Sequence, residues 1–219
     1  MKRPDLLVFR TQDKPLVDGV IHKLKGLPEL PFTSEDDPSI QSLLSHAPVA
    51  VECENSLWRA RQMPDYGAAL KPQKRLDGRP GLKKSAVLPT ILLKEEDRGP
   101  LKQWQKDRGV PIHIWHAFFD EAFGISLQRA EKLITNGDIE ATQQVFQAPG
   151  GATTRKVIYK IYYLHAYRLA STQEEPQLVA ASITDKNGHI LPYVRFVGGS
   201  SELCQDALEV LLKAAESHA

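Results

Sequence analysis

Val49-Ala50-Val51-Glu52-Cys53-Glu54-Asn55-Ser56 (VAVECENS) decides how this chain reads. The alternation over 49–54 predicts a β-strand with one buried face. The pleat puts Val49, Val51 and Cys53 on one side and Ala50, Glu52 and Glu54 on the other. Acids inside an apolar strand are costly to bury. Strand geometry sets the Glu52 and Glu54 backbones about 6.5–7 Å apart. Their charges repel, and a divalent cation would relieve the repulsion. Magnesium favours one or two carboxylates completed by waters and phosphate oxygens. Such a site polarises a phosphodiester and acidifies water. The alternative is a half-exposed edge strand whose glutamates are simply solvated.

Upstream, an apolar run over 6–9 predicts a first strand, and IQSLLSHA suits a short helix over 39–46 that Pro48 ends. Downstream, 59–86 reads as a long surface loop with Pro64, Pro72, Pro80, Gly67, Gly78 and Gly81. Beyond it, a buried strand over 89–94, a helix over 98–106 with Pro100 in its first turn, and a second apolar strand over 110–119 predict a parallel crossover. Ser126 should cap a helix that Asn136-Gly137 stops. The last third reads as β-rich: a long run over 156–168, strands flanking the Asn187-Gly188 turn signal, and an amphipathic closing helix over 201–215.

The whole chain has 219 residues, a formal net charge of +1 and 42% hydrophobic residues, values of a globular protein and not of a uniformly basic nucleic-acid coat. No apolar run approaches the roughly 18 residues of a membrane span. Cys53 and Cys204 make neither a disulfide framework nor a CxxC metal site, which fits a reducing cytoplasm. There is no phosphate loop, GxGxxG or nucleophile elbow.

A second feature adds to the acidic strand. Pro4-Asp5 leads directly into Leu6-Leu7-Val8-Phe9. Together with Glu52-Cys53-Glu54, this resembles the core of the PD-(D/E)XK nuclease superfamily, which includes many type II restriction endonucleases. The order Pro-Asp strand, acidic strand, strand, helix, strand extends the resemblance over about residues 4–120. It implies metal-ligand roles for Asp5 and Glu52. It implies that position 54, usually a lysine, helps position or activate water. Here that position is Glu54, which could act as general base or add a metal contact. Lys94, at the end of the next strand, could supply the missing positive charge. The 46 residues between Asp5 and Glu52 require an insertion containing the 39–46 helix. The superfamily also places a helix and a strand ahead of the Pro-Asp strand. Here they come from elsewhere in the chain or from an upstream portion of a longer protein.

Several other residues have two readings. Asp36 and Asp37 could replace Asp5 as the partner acid or cap the following helix. Asp65 also follows a proline, but in a loop after the acidic strand. Glu95, Glu96 and Asp97 read as solvated acids favouring a helix N-terminus. His113 and His116, three apart on a strand, face opposite sides and read as structural. Lys71, Lys74, Arg75, Arg79, Lys83 and Lys84 form a basic stretch suited to DNA phosphates, or an ordinary solvated loop. Arg155, Tyr159, Tyr163, His165 and Tyr167 on one face, with Lys156, Lys160 and Arg168 on the other, suit either a DNA-facing surface or aromatic packing with snorkelling bases. Arg155 and Lys160 are the DNA contacts expected there, and Lys186 and Arg195 flank the last turn.

The expected fold is α/β: a restriction-endonuclease-like mixed sheet flanked by helices, with a β-rich C-terminal lobe. Residues 1–140 form the nuclease core, and 141–219 a hairpin-rich lobe packed on it. The expected function is magnesium-dependent cleavage of double-stranded DNA by a sequence-specific type II restriction enzyme, with Mg2+ at Asp5 and Glu52. A two-fold DNA site implies a homodimer. The alternatives are a DNA-binding or assembly protein without catalysis, and a structure-specific repair nuclease.

Overall fold

The structure is a computed structural model and describes residues 2–147, 153–184, 188 and 190–217. The first strand, β1 (Leu6–Val8), is followed by α1 (Lys14–Lys23), a 3-10 segment (Leu27–Phe32) and α2 (Pro38–His46) before β2 (Val49–Asn55). The inserted helices therefore lie between Asp5 and Glu52. Asp37 caps α2, its Oδ1 accepting the Ser39 N–H at 2.8 Å, so the capping reading holds.

After β2 the chain makes the loop that contains the two-residue ladder of β3 (Lys71–Pro72) and β4 (Pro80–Gly81). Then come β5 (Thr90–Lys94), α3 (Glu95–Arg108), β6 (Ile112–Ala117), β7 (Glu121–Ser126) and α4 (Leu127–Thr135). The Ser126 hydroxyl caps α4 by accepting the Arg129 N–H. The last third holds β8 (Ala141–Gln147), β9 (Thr153–Tyr162), β10 (Tyr167–Glu174), β11 (Gln177–Thr184), β12 (Ile190–Val197), β13 (Ser200–Leu203) and α5 (Gln205–Ser217).

The main sheet is mixed, in the order β1-β2-β6-β7-β10-β13. Only β2 and β6 run parallel within it. A second, antiparallel sheet has the order β5-β9-β8, and β11 pairs with β12 as a ribbon. This is the curled mixed sheet flanked by helices that the sequence predicts. α5 packs against β2 and β10, while α3 packs against β5 and β9. Among the described residues no helix is long and apolar enough to cross a membrane.

Several expectations are corrected, and the closing helix starts at Gln205, after β13, and not at residue 201. β5 and β6 do not share a sheet: both edges of β6 are taken by β2 and β7, and β5 pairs with β9. The parallel partner of β6 is instead β2. The apolar run from 110 to 119 turns at Phe118 and returns as β7, which the sequence reading missed. α3 begins at Glu95, a turn earlier than expected, so Pro100 lies inside it; three acids in its first turn favour that start. The run 156–168 breaks at a 3-10 turn (Tyr163–His165), so its residues do not continue one face. Lys186 and Asn187 lie outside the described residues.

Val49, Ala50 and Val51 are fully buried, so both faces of β2 are covered where one was expected. Ala50, Ile112 and Ile114 join the main core with Ile91, Leu93, Leu101 and Trp104. Burying a large side chain of this kind contributes roughly 1.5–3 kcal/mol. That core fixes the start of β2 through Glu52 and lets its far end, from Cys53 on, come out of the sheet interior.

Candidate active site

Asp5 reaches the acidic strand directly. Its N–H donates to the Val51 carbonyl at 2.8 Å, extending the β1–β2 ladder by one residue. Its exposed carboxylate accepts the Cys53 N–H at 2.7 Å through Oδ2. The Pro-Asp pair and the acidic strand are thus neighbours in space. The antiparallel register puts Asp5 beside Glu52.

Glu52 is buried, and burial raises its pKa first; Lys2 opposes that shift and Asp5 adds to it. Lys2 Nζ lies 2.5 Å from Glu52 Oε1 and 3.0 Å from Asp97 Oδ2. Glu52 Oε2 is buried and has no hydrogen-bond partner. A buried acceptor left this way costs about 1–3 kcal/mol unless something occupies it. Cys53 between the acids has its thiol pushed up to about 11, by desolvation first and then by Asp5, Glu52 and Glu54. It is therefore a neutral thiol at neutral pH, not a nucleophile.

Glu54 is half-buried and accepts from Lys94 Nζ at 2.7 Å. Desolvation alone would lower the Lys94 pKa, but its bond to Glu54 prevails and the pKa is raised. Lys94 therefore stays an ammonium, able to supply positive charge but not to take a proton. Lys94 follows from β5 and Asp97 from the first turn of α3, so one strand–helix junction delivers both to the end of β2. Among the described residues no three His, Cys, Asp or Glu side chains are grouped so as to hold a metal ion by themselves. The available donors are the two-carboxylate kind.

The second acidic cluster is structural. Glu121, at the start of β7, is buried and bonded to Arg61, Arg168 and the Tyr66 hydroxyl. Asp120 accepts the N–H groups of Ala60 and Arg61 at 2.6 and 3.0 Å. These contacts pin the start of the 59–86 loop. Asp65 holds its later part, accepting the Val87 N–H at 2.8 Å and pairing with Lys83 at 2.8 Å. Sequence reasoning missed Lys2, Asp97 and Glu121 as site or anchor residues. An acid pair inside the apolar AFFDEAFGI was the available signal for Glu121; nothing local marked the other two.

The basic residues of the loop, Lys71, Lys74, Arg75, Arg79, Lys83 and Lys84, are all exposed. Arg75 bonds to Gln73 and the Leu82 carbonyl, and Arg79 approaches Asp138. None of these partners belongs to the acidic cluster. Arg155 and Lys160 are exposed on β9. The interleaved tyrosines face inward instead. Tyr159 accepts from Arg98, Tyr163 stacks on Tyr66 and Tyr167 bonds to His113 and Trp115. For these rings the packing alternative holds. His113 and His116 are buried, and burial pushes both down to about 4. Asp36 is exposed and pairs with Arg108 at 3.3 Å.

Comparison with known proteins bears on this fold as a whole. The chain matches no curated protein and no solved structure. A family model described as AccI restriction endonuclease matches residues 80–218. The match runs from β4 into α5 and includes Lys94 and Asp97, while Asp5, Glu52 and Glu54 lie before it. It covers well over half of the chain, which therefore belongs to the AccI restriction endonuclease family of enzymes that cut within DNA.

Proposed function

We propose that the chain is a magnesium-dependent, sequence-specific type II restriction endonuclease of the PD-(D/E)XK superfamily, cutting double-stranded DNA in the cytoplasm as a homodimer. The observation that carries this reading is the meeting of Asp5 and Glu52 across the β1–β2 ladder, with a buried Glu52 oxygen that has no partner.

The residues fit the cation. Magnesium takes few protein carboxylates and completes its shell with water and phosphate oxygens. An exposed Asp5 beside a half-satisfied Glu52 is such a donor set. When bound, the cation supplies positive charge against the scissile phosphate. Asp5 is oriented for this by the Cys53 N–H, and Glu52 by the buried strand that carries it. Glu54, oriented by Lys94, would be the group that accepts the proton of the attacking water. Lys94 holds that carboxylate and contributes fixed positive charge near the phosphate. The basic loop, with Arg155 and Lys160, neutralises backbone phosphates and sets the position of the duplex without reading bases.

Nicking of supercoiled plasmid with and without Mg2+ tests the reading. The wild-type chain should nick and linearise only with the metal, and Glu52→Ala should do neither. Equal cutting by both proteins rejects the assignment. Discrete bands from a long duplex separate sequence-specific cutting from structure-dependent repair cleavage.

A further inference from the structure

Glu52 is a carboxylate with 6% of its side chain exposed, following three fully buried residues of β2. An ionised carboxylate in such a place needs an opposite charge. The chain supplies one from the segment before β1. A single ammonium, that of Lys2, bridges Glu52 Oε1 and Asp97 Oδ2 and so ties β2 to the first turn of α3. The bridge satisfies only one Glu52 oxygen, and Oε2 remains without a partner. The ammonium thus sits where positive charge is required and leaves the coordination of that carboxylate incomplete.

We propose that Lys2 is the internal counter-cation of the Glu52 site: it holds the carboxylate while no divalent ion is bound, gives way when that ion arrives, and is then retained by Asp97. This rests on the metal-ligand reading of Asp5 and Glu52 given above.

Elementary electrostatics supports the exchange. An ammonium and a divalent cation on one carboxylate repel each other strongly at contact distance in a partly desolvated site. Moving the ammonium away from Glu52 relieves that repulsion. Lysine suits the moving role, being a compact charge on a flexible four-carbon stem, whereas arginine is a rigid fork. Asp97 suits the retaining role: its side chain is 13% exposed, and it already bonds the same ammonium. Its place in the first turn of α3 sets it beside the positive end of the helix dipole. Metal binding then becomes a substitution of one cation for another, and its affinity is reduced by the free energy of the Lys2–Glu52 contact.

Binding of Mn2+ to the full chain, without DNA, tests this by electron paramagnetic resonance. Lys2→Met should bind Mn2+ about tenfold more tightly than wild type, and Glu52→Gln should lose the high-affinity site. Equal or weaker binding by Lys2→Met, with Glu52→Gln defective, overturns the exchange and leaves the metal site standing. Undiminished binding by Glu52→Gln overturns the site and the exchange with it. Should Lys2→Met fail to fold, the unaltered protein gives the answer through acetylation of the Lys2 amine, read by mass spectrometry. Added Mn2+ should raise the acetylation rate several-fold in wild type. An unchanged or reduced rate overturns the proposal.

Discussion

Lys94 Nζ donates to Glu54 Oε1 at 2.7 Å, joining two residues 40 apart in the chain. On the proposed reading, Glu54 stands where the superfamily that the sequence resembles carries a lysine, and Lys94 would supply that charge from β5. If the positive charge matters for cleavage, Lys94→Met should lower plasmid nicking under single-turnover conditions by about 10²-fold. Placing the lysine on the other strand, Glu54→Lys with Lys94→Met, should recover part of the loss. Wild-type nicking by Lys94→Met would leave the lysine a structural role only.

On the proposed reading, Asp5 has two jobs that can be separated. Asp5→Asn keeps an oxygen able to accept the Cys53 N–H but removes the charge. Urea unfolding should shift by less than about 1 kcal/mol, while Mg2+-dependent cleavage should fall by at least about 10²-fold. A large stability loss with cleavage intact would reverse this division.

His113 and His116 make the fold sensitive to acid. Burial lowers both from 6.5 to about 4. Their folded values lie below their unfolded ones, so their contribution is complete above about 6.5 and is lost as pH falls from there towards 4. At pH 5 each should cost roughly 2 kcal/mol. Both ring nitrogens of His116 lack partners and its ring stacks on Phe118 at 4.6 Å. His116→Phe should therefore be near neutral at pH 7.5 and more stable than wild type at pH 5 in urea titrations. A loss above about 2 kcal/mol at pH 7.5 would mean that the imidazole has a bonded partner.

Glu121 should matter for stability and not for chemistry. Removing it strands Arg61 and Arg168, although these are 53% and 39% exposed and can turn to water. Glu121→Ala should therefore cost near the lower end of the buried-pair range, about 3 kcal/mol. Thermal unfolding measures this, and proteolysis within 59–66 should accelerate as the loop loses its anchor.

The basic loop can be tested by salt. Replacing Lys71, Lys74 and Lys84 with glutamine should flatten the dependence of log affinity for DNA on log salt by about 0.9 for each phosphate that is no longer neutralised. An unchanged slope would place the loop away from the duplex.

Local signals carried much of the fold. The strand at VAVECENS, the caps at Asp37 and Ser126, and the αL residue Gly109 that ends α3 read correctly, although β2 is covered on both faces and not on one. Each depends on a few adjacent residues. The turn between β6 and β7 was illegible because Phe118, Phe119 and Asp120 contain neither glycine nor proline. α1 was missed because Gly19 interrupts it and prolines follow at 28 and 31, although Leu16, Val17, Val20 and Ile21 keep helical spacing. The membership of β5 depends on pairing with β9 across more than sixty residues, which no window along the chain contains. The same limit hid part of the site. Asp5 and Glu52 were recognisable as a pair because each sits in a short motif. Lys2 and Asp97 carry no motif and gain their meaning only from meeting at Glu52.

β2 and β6 run parallel, so the chain must travel back between them. Everything between their ends, the basic loop, β5 and α3, belongs to that return journey. Asp5, Glu52 and Glu54 come before the detour starts, and Lys94 and Asp97 join them from within it. On the proposed reading, lengthening or rewriting the basic loop would change what grips a duplex while leaving Asp5 and Glu52 as they are.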